Sequence, residues 1–343
     1  MNVAANDTTG LKQSRFYFLN RALEPRRPFL DDPAVVEIAV NRPGSVYIER
    51  LGADHMEFHH IGELTAGEIQ NIGERVAGAT DQFISRSEPV LSATVPTGER
   101  IQVVLPPAAP DGGAISIRKQ VMSNFSLEEY RDSGSLDHVS VAVGGLSNID
   151  RQLIAHLKQN RIYEFIHTAI TQRVSILISG GTSSGKTTFL NACLKSAHPR
   201  ERILTLEDTR ELYPPQENCV HLIASRGGQG SANVTIQSLL EASLRMRPDR
   251  LFVGEIRGAE AFAFLRAINT GHPGSMSTVH ADTPQGAYEQ IAMMVQQSGL
   301  SAGYARQDLM AYIRMVIPIV IQLRRDGGKR GVSEIFFARS GET

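Results

Sequence analysis

The sequence predicts an α/β protein: a smaller α+β domain followed by one in which a mainly parallel sheet is covered by helices. Three observations carry this. From Asp150 onward, helical apolar periodicity alternates with short apolar runs, the pattern of strands separated by helices. One of those runs, Val174 to Ile178, passes into a glycine-rich turn and then a helical segment. Before residue 133 the strand candidates instead follow one another with turn residues between them, and a Gly/Ser/Asp-rich stretch divides the two regions.

The elements can be justified in order. Val35 to Val40 and Ser45 to Leu51 read as strands around the turn Asn41-Arg42-Pro43-Gly44. Thr65-Ala66-Gly67-Glu68 has capping-box spacing and opens a helix with Ile69, Ile72 and Val76 on one face. Strands are expected at Val90 to Val95, Arg100 to Leu105 and Ile115 to Arg118, with a proline-rich loop, Pro106 to Gly113, between the last two. Ser126 opens a short helix, and residues 133–148 read as a linker, so the expected domains are 1–132 and 149–343. In the second, strands are expected at Val174–Ser179, Arg202–Leu206, Val220–Ile223, Leu251–Gly254 and Ser275–Val279. A β-hairpin around Arg325 to Gly331 closes the chain.

Composition sets bounds. With 343 residues, 41% apolar and 21% charged, the chain has the make-up of a soluble globular protein of two domains. A net charge of −1 makes no case for general nucleic-acid affinity, so sequence-specific nucleic-acid binding is not expected. The first residues lack an apolar signal core, and the most apolar run, Met315 to Ile321, is too short to span a bilayer. Two cysteines, Cys193 and Cys219, fit a reducing compartment and are too few for a structural zinc site. The expected location is cytoplasmic, with peripheral attachment at the inner membrane left open. Phe16 to Leu23, partly apolar and arginine-bearing, is read as a core-docked helix rather than a lipid contact.

The chemistry begins at Gly180-Gly181-Thr182-Ser183-Ser184-Gly185-Lys186-Thr187-Thr188, a phosphate-loop pattern between an apolar strand and a helix. Such a loop aims backbone N–H groups at phosphate oxygens and adds the positive end of the following helix. Lys186 supplies a point charge for the β- and γ-phosphates, and the Thr187 hydroxyl is a Mg²⁺ ligand. A nucleoside triphosphate with Mg²⁺ is therefore the expected ligand. Two acids follow apolar strands downstream: Glu207 after Ile203 to Leu206, and Glu255 after Leu251 to Val253. An acid in that position is more often a helix cap or a solvated turn, but two behind a phosphate loop point to catalysis. Gly254 stands where a phosphate-loop ATPase usually carries a second acid, and Glu207 is the candidate replacement. His280 lies at a strand end in a third box, Asn269 to Asp282, where it can reach a γ-phosphate, although a lone histidine is more often a satisfied structural residue; His272 in the same box reads as a turn residue.

Taken together, the phosphate loop, the box Leu206 to Glu211, Gly254-Glu255-Ile256-Arg257 and the His-containing run resemble the secretion-ATPase superfamily. Within it the chain is most similar to the hexameric traffic ATPases of bacterial type IV secretion, over nearly its whole length. That resemblance implies a RecA-like ATPase domain after the linker, ATP as the triphosphate, a homo-hexameric ring, and other type IV secretion subunits at the inner membrane as partners. It further implies hydrolysis that powers substrate export or pilus assembly. Glu207 would polarise the attacking water, Glu255 would support Mg²⁺ directly or through water, and Arg100 and Arg118 would reach the phosphates from the first domain. Arg100 and Arg118 read equally well as ordinary charged strand residues. Type II secretion ATPases often carry a four-cysteine module that this chain lacks, and the C-terminal motif of pilus retraction motors is not found. A pilus or type II motor, a nucleotide-gated scaffold with little turnover, and a nucleic-acid translocase remain the alternatives.

Overall fold

A computed structural model describes residues 23, 27–95, 97–120, 126–137, 139, 145–225, 231–299 and 303–341. Among these the chain builds two sheets. The first is six-stranded and antiparallel, in the order β3-β2-β1-β6-β5-β4: Val35–Arg42 (β1), Ser45–Arg50 (β2), Glu57–His60 (β3), Val90–Thr94 (β4), Arg100–Val104 (β5) and Ala114–Arg118 (β6). Ala66–Ala79 forms a helix with Ile69, Ile72 and Val76 buried against Ile38, Ile48, Val103 and Ile117 of this sheet. The Thr65 side chain accepts from Glu68 N at 3.2 Å, so the predicted start is the observed cap.

β3 was not legible from the sequence. Its residues, Glu57-Phe58-His59-His60, are exposed or half-buried and show no apolar alternation. Pairing along the free edge of β2, with Tyr47 opposite Phe58, makes them a strand. Of the segment Phe16 to Leu23, all but the buried Leu23 lies outside the described residues, as do 138 and 140–144 of the expected linker. Among the described residues no helix is long and apolar enough to cross a membrane.

The second sheet is seven-stranded, in the order β13-β12-β7-β11-β10-β8-β9. Its strands are Ile176–Gly180 (β7), Ile203–Glu207 (β8), Cys219–Ile223 (β9), Arg250–Val253 (β10), Met276–Val279 (β11), Ile319–Asp326 (β12) and Lys329–Phe337 (β13). All neighbouring pairs are parallel except β12 with β13. Fully buried strands are expected of a parallel sheet with helices on its faces, and β7, β8, β10 and β11 are buried at every position. The closing hairpin is tighter than composition suggests. Gly327 and Gly328 have φ of 52° and 89°, a two-residue turn that keeps Arg324 to Asp326 and Lys329 to Arg330 in strand pairing rather than in a loop.

Register decides what this sheet presents. Leu323 lies opposite Gly180, Val279 opposite Ser179, and Val253 opposite both Ser277 and Leu206. The segments after β7, β11, β10 and β8 therefore leave the sheet side by side at one edge. At the other end of β10, Arg250 is fully buried, with Nη2 donating to Glu201 Oε1 at 2.9 Å and Nη1 to the Ile170 carbonyl at 2.8 Å.

The proline-rich loop is part of a joint between the sheets. Ala108 and Ala109 share a core with Leu204, Leu206 and Val220, and Ile223 N donates to the Ala108 carbonyl at 2.8 Å. Arg210 pairs with Asp111 at 2.8 Å. A polar seam accompanies this joint: buried Arg202 donates to Asn41 and to Asn218, and Arg247 binds both oxygens of Glu49, at 2.6 and 2.7 Å.

Candidate active site

The phosphate loop leaves β7 at Gly180 and enters the helix Lys186–Leu194. Ser183 and Gly185 take positive φ, 59° and 96°, which curls the backbone between strand and helix. Lys186 is buried, and its ammonium donates to the carbonyls of Gly180 at 2.9 Å and Gly181 at 3.2 Å. Burial lowers the Lys186 pKa, while the nearby Glu255 carboxylate opposes that shift. The Ser184 hydroxyl is buried and makes no hydrogen bond among the described residues.

His280 follows the end of β11 and stands between two other predicted residues. Its Nδ1 is 3.3 Å from Lys186 Nζ and its Nε2 is 2.8 Å from Glu255 Oε1. Glu255 in turn receives Arg257, whose Nε donates to Oε2 at 2.8 Å and whose Nη1 lies 3.3 Å from Asp208 Oδ2. A continuous polar chain thus runs from the phosphate-loop lysine to the acids after β10 and β8. Asp208 and Arg257 belong to motifs visible in the sequence, but only this chain gives them a place.

Glu207, at the end of β8, is buried. One oxygen, Oε1, accepts from Glu211 N at 2.8 Å and Leu212 N at 2.9 Å. Its other oxygen, Oε2, is buried and accepts no hydrogen bond among the described residues. Burial raises the Glu207 pKa, opposed first by those two backbone donors, a combination suited to a proton acceptor. Gly254 has a steric reason. A Cβ built there would come within 3.2 Å of Glu207 Cγ, so the missing second acid leaves room for the stem of the first.

Thr187, Glu207, Asp208, Glu255 and Arg257 line one cavity of about 60 Å³. Its lining offers the hydroxyl and carboxylate oxygens of Thr187, Glu207, Asp208 and Glu255, the donor type that Mg²⁺ takes. Gly181, Thr182 and Ser184 line a second, larger cavity of about 610 Å³ with Asp282 and Arg324. Arg100 and Arg118 do not enter the first cavity. They face each other in the register of β5 and β6, both exposed, and neither makes a hydrogen bond or ion pair among the described residues. His272 donates from Nδ1 to the Pro248 carbonyl at 2.8 Å, a tie to the segment before β10.

The chain matches the family described as Type II/IV secretion system protein over residues 21–326. It is 39% identical to the type IV secretion system protein VirB11 of Bartonella quintana over 327 residues, 92% of this chain and 91% of that one. With the VirB11 of Brucella suis it shares 35% over 326 residues, 93% and 90% of the two chains. The crystal structure of the Brucella suis VirB11 ATPase in complex with sulphate superposes with a TM-score of 0.89 at 33% identity, covering 96% of this chain and 98% of that one. A shared fold, near-complete coverage and these levels of identity together establish that the chain belongs to the Type II/IV secretion system protein family, among the VirB11-type secretion ATPases.

Proposed function

We propose that this chain is a Mg²⁺-dependent ATP hydrolase that works as a homo-hexameric ring and powers export or pilus assembly beside other type IV secretion subunits at the inner membrane. The observation that carries the reading is the Lys186–His280–Glu255 chain, next to a cavity shared by Thr187 and Glu207. Lys186 exchanges its carbonyl partners for phosphate oxygens when nucleotide arrives. Loss of the lysine's contact with Nδ1 then frees His280 to answer to the γ-phosphate. Glu207, held by two backbone donors and raised in pKa, takes a proton from the attacking water. The Thr187 hydroxyl and, directly or through water, Glu255 steadied by Arg257 would hold Mg²⁺, which would supply positive charge to the transferring phosphoryl group. Arg100 and Arg118, exposed and without a side-chain hydrogen bond or ion pair among the described residues, are available to approach phosphate when a domain or neighbouring subunit closes.

Steady-state phosphate release tests this directly. Lys186→Ala and Glu207→Gln each abolish turnover, while Glu207→Gln still binds ATP. Unchanged turnover in Glu207→Gln overturns its role, and wild type that binds ATP without hydrolysis replaces the motor with a scaffold. Mass measurement with and without ATP and Mg²⁺ reads the ring: a monomer under both conditions removes the hexamer. For the two arginines, alanine lowers kcat more than nucleotide affinity; proportional loss of both points to binding or folding instead.

A further inference from the structure

We propose that Arg330, on the closing hairpin, binds the part of the nucleotide phosphate chain that ADP and ATP share. This rests on the ATPase reading above and assigns a residue to it that lies outside every motif read from the sequence. The first observation is register. β12 runs parallel to β7 with Leu323 opposite Gly180, so residues beyond Leu323 extend past the strand end, alongside the phosphate loop. Arg330 pairs with Arg325 in the returning strand and is therefore carried to the same height.

The second observation is contact. A Cβ built on Gly185 would lie 3.5 Å from Arg330 Cδ and 3.9 Å from its Cβ. The aliphatic stem of Arg330 thus rests on the loop at the residue before Lys186. Its guanidinium, exposed, has no hydrogen-bond or ion-pair partner among the described residues. Between residues 324 and 334 the hairpin carries Arg324, Arg325, Lys329 and Arg330 against Asp326 and Glu334, an excess of positive charge beside an anion-binding turn.

Sheet order tells which phosphates are meant. His280, Glu255 and Glu207 follow β11, β10 and β8, all on one side of β7, whereas β12 and β13 lie on the other. The groups that meet the γ-phosphate are therefore across the loop from Arg330. A planar guanidinium on the near side binds the inner phosphates with two parallel N–H donors, a geometry lysine cannot reproduce.

Calorimetric titration of the full chain with ADP and with ATP, in Mg²⁺, tests the assignment. Arg330→Ala weakens both nucleotides alike, by about tenfold or more, and Arg330→Lys recovers only part of the loss. The adjacent Lys329→Ala stays within about twofold of wild type, since hairpin charge alone contributes little through screening solvent. Because Arg330 is exposed, its variants keep the wild-type melting temperature. An unchanged ADP affinity in Arg330→Ala overturns the proposal. So does an equal loss in Lys329→Ala, which makes the effect one of general charge, or a loss confined to ATP, which moves the residue to the γ-phosphate. If Lys186→Ala also leaves ADP affinity unchanged, the nucleotide site itself has been misplaced, a separate failure.

Discussion

His280 presents Nδ1 to the Lys186 ammonium at a distance of 3.3 Å. An ammonium can only donate, so Nδ1 is the acceptor and the neutral ring carries its proton on Nε2. Nε2 stands 2.8 Å from Glu255 Oε1, a close approach in which that oxygen accepts no hydrogen bond among the described residues. The imidazole therefore sits between the lysine of the phosphate loop and the acid after β10. A phosphate that takes Lys186 away would leave Nδ1 without its donor.

With His280 released to answer to the γ-phosphate, His280→Ala is expected to lower kcat by about 10- to 100-fold, the range for loss of one positioned polar group, with ADP affinity nearly unchanged. Steady-state kinetics beside ADP titration separates the two. Equal losses in kcat and ADP affinity reduce His280 to a binding residue.

Gly254→Ala is expected to leave the fold intact and still slow hydrolysis. The new methyl meets Glu207 Cγ at 3.2 Å, and the carboxylate has to shift. Displacement of a proton acceptor by a fraction of an ångström to an ångström costs roughly 10- to 100-fold in turnover. Wild-type kcat in this variant shows that Glu207 has slack at this position.

Glu201 and Arg250 form an almost fully buried pair at the far end of β10, with Arg173 Nε also donating to Glu201 at 2.9 Å. Glu201→Gln strips the compensating charge from a buried guanidinium. Urea unfolding is expected to show a loss of about 3–5 kcal/mol, because the remaining charge cannot reach water. Nucleotide affinity in the folded fraction remains that of wild type.

Stability should also carry a pH signature from the seam between the sheets. Burial raises Glu37 from the ordinary 4.5 to about 7; Arg202 chiefly opposes the shift, with Arg118 and Arg247 acting the same way and Glu49 against them. Between those pH values the folded chain holds a proton that the unfolded chain has released. The stabilisation is therefore full below pH 4.5 and is lost as the pH rises to about 7, a change of about 3 kcal/mol. Unfolding curves across that range should show this slope in wild type and a flatter one in Glu37→Gln.

The thiols offer a simpler measurement. Burial pushes both Cys193 and Cys219 up to about 12, so neither forms thiolate at neutral pH. A thiol-specific reagent should leave the native chain unlabelled and modify both residues after denaturation. Rapid labelling of the native protein shows that one of them is exposed by local opening.

Much of the site was legible because it is local. Gly180 to Thr188 is one continuous stretch whose turn, charge and hydroxyl are all written in neighbouring residues. The strands that deliver Glu207 and Glu255 announced themselves as apolar runs, within a residue or two of their observed ends. β3 did not, because an edge strand buries little and needs no apolar alternation. The Pro106 to Gly113 segment read only as a loop, since composition does not reveal that Ala108 and Ala109 pack against the second sheet.

The sequence by itself determined the phosphate loop, the α/β class and the order of the acidic and histidine boxes, because each is encoded in side chains adjacent along the chain. Only the tertiary structure decided that His280 sits between Lys186 and Glu255, that Gly254 makes room for Glu207, and that Arg330 lies on Gly185. Those relationships depend on which strands become neighbours and in what register. A buried parallel strand reads as an apolar run whichever strand it pairs with, so its sequence carries no record of the residue that will stand beside it.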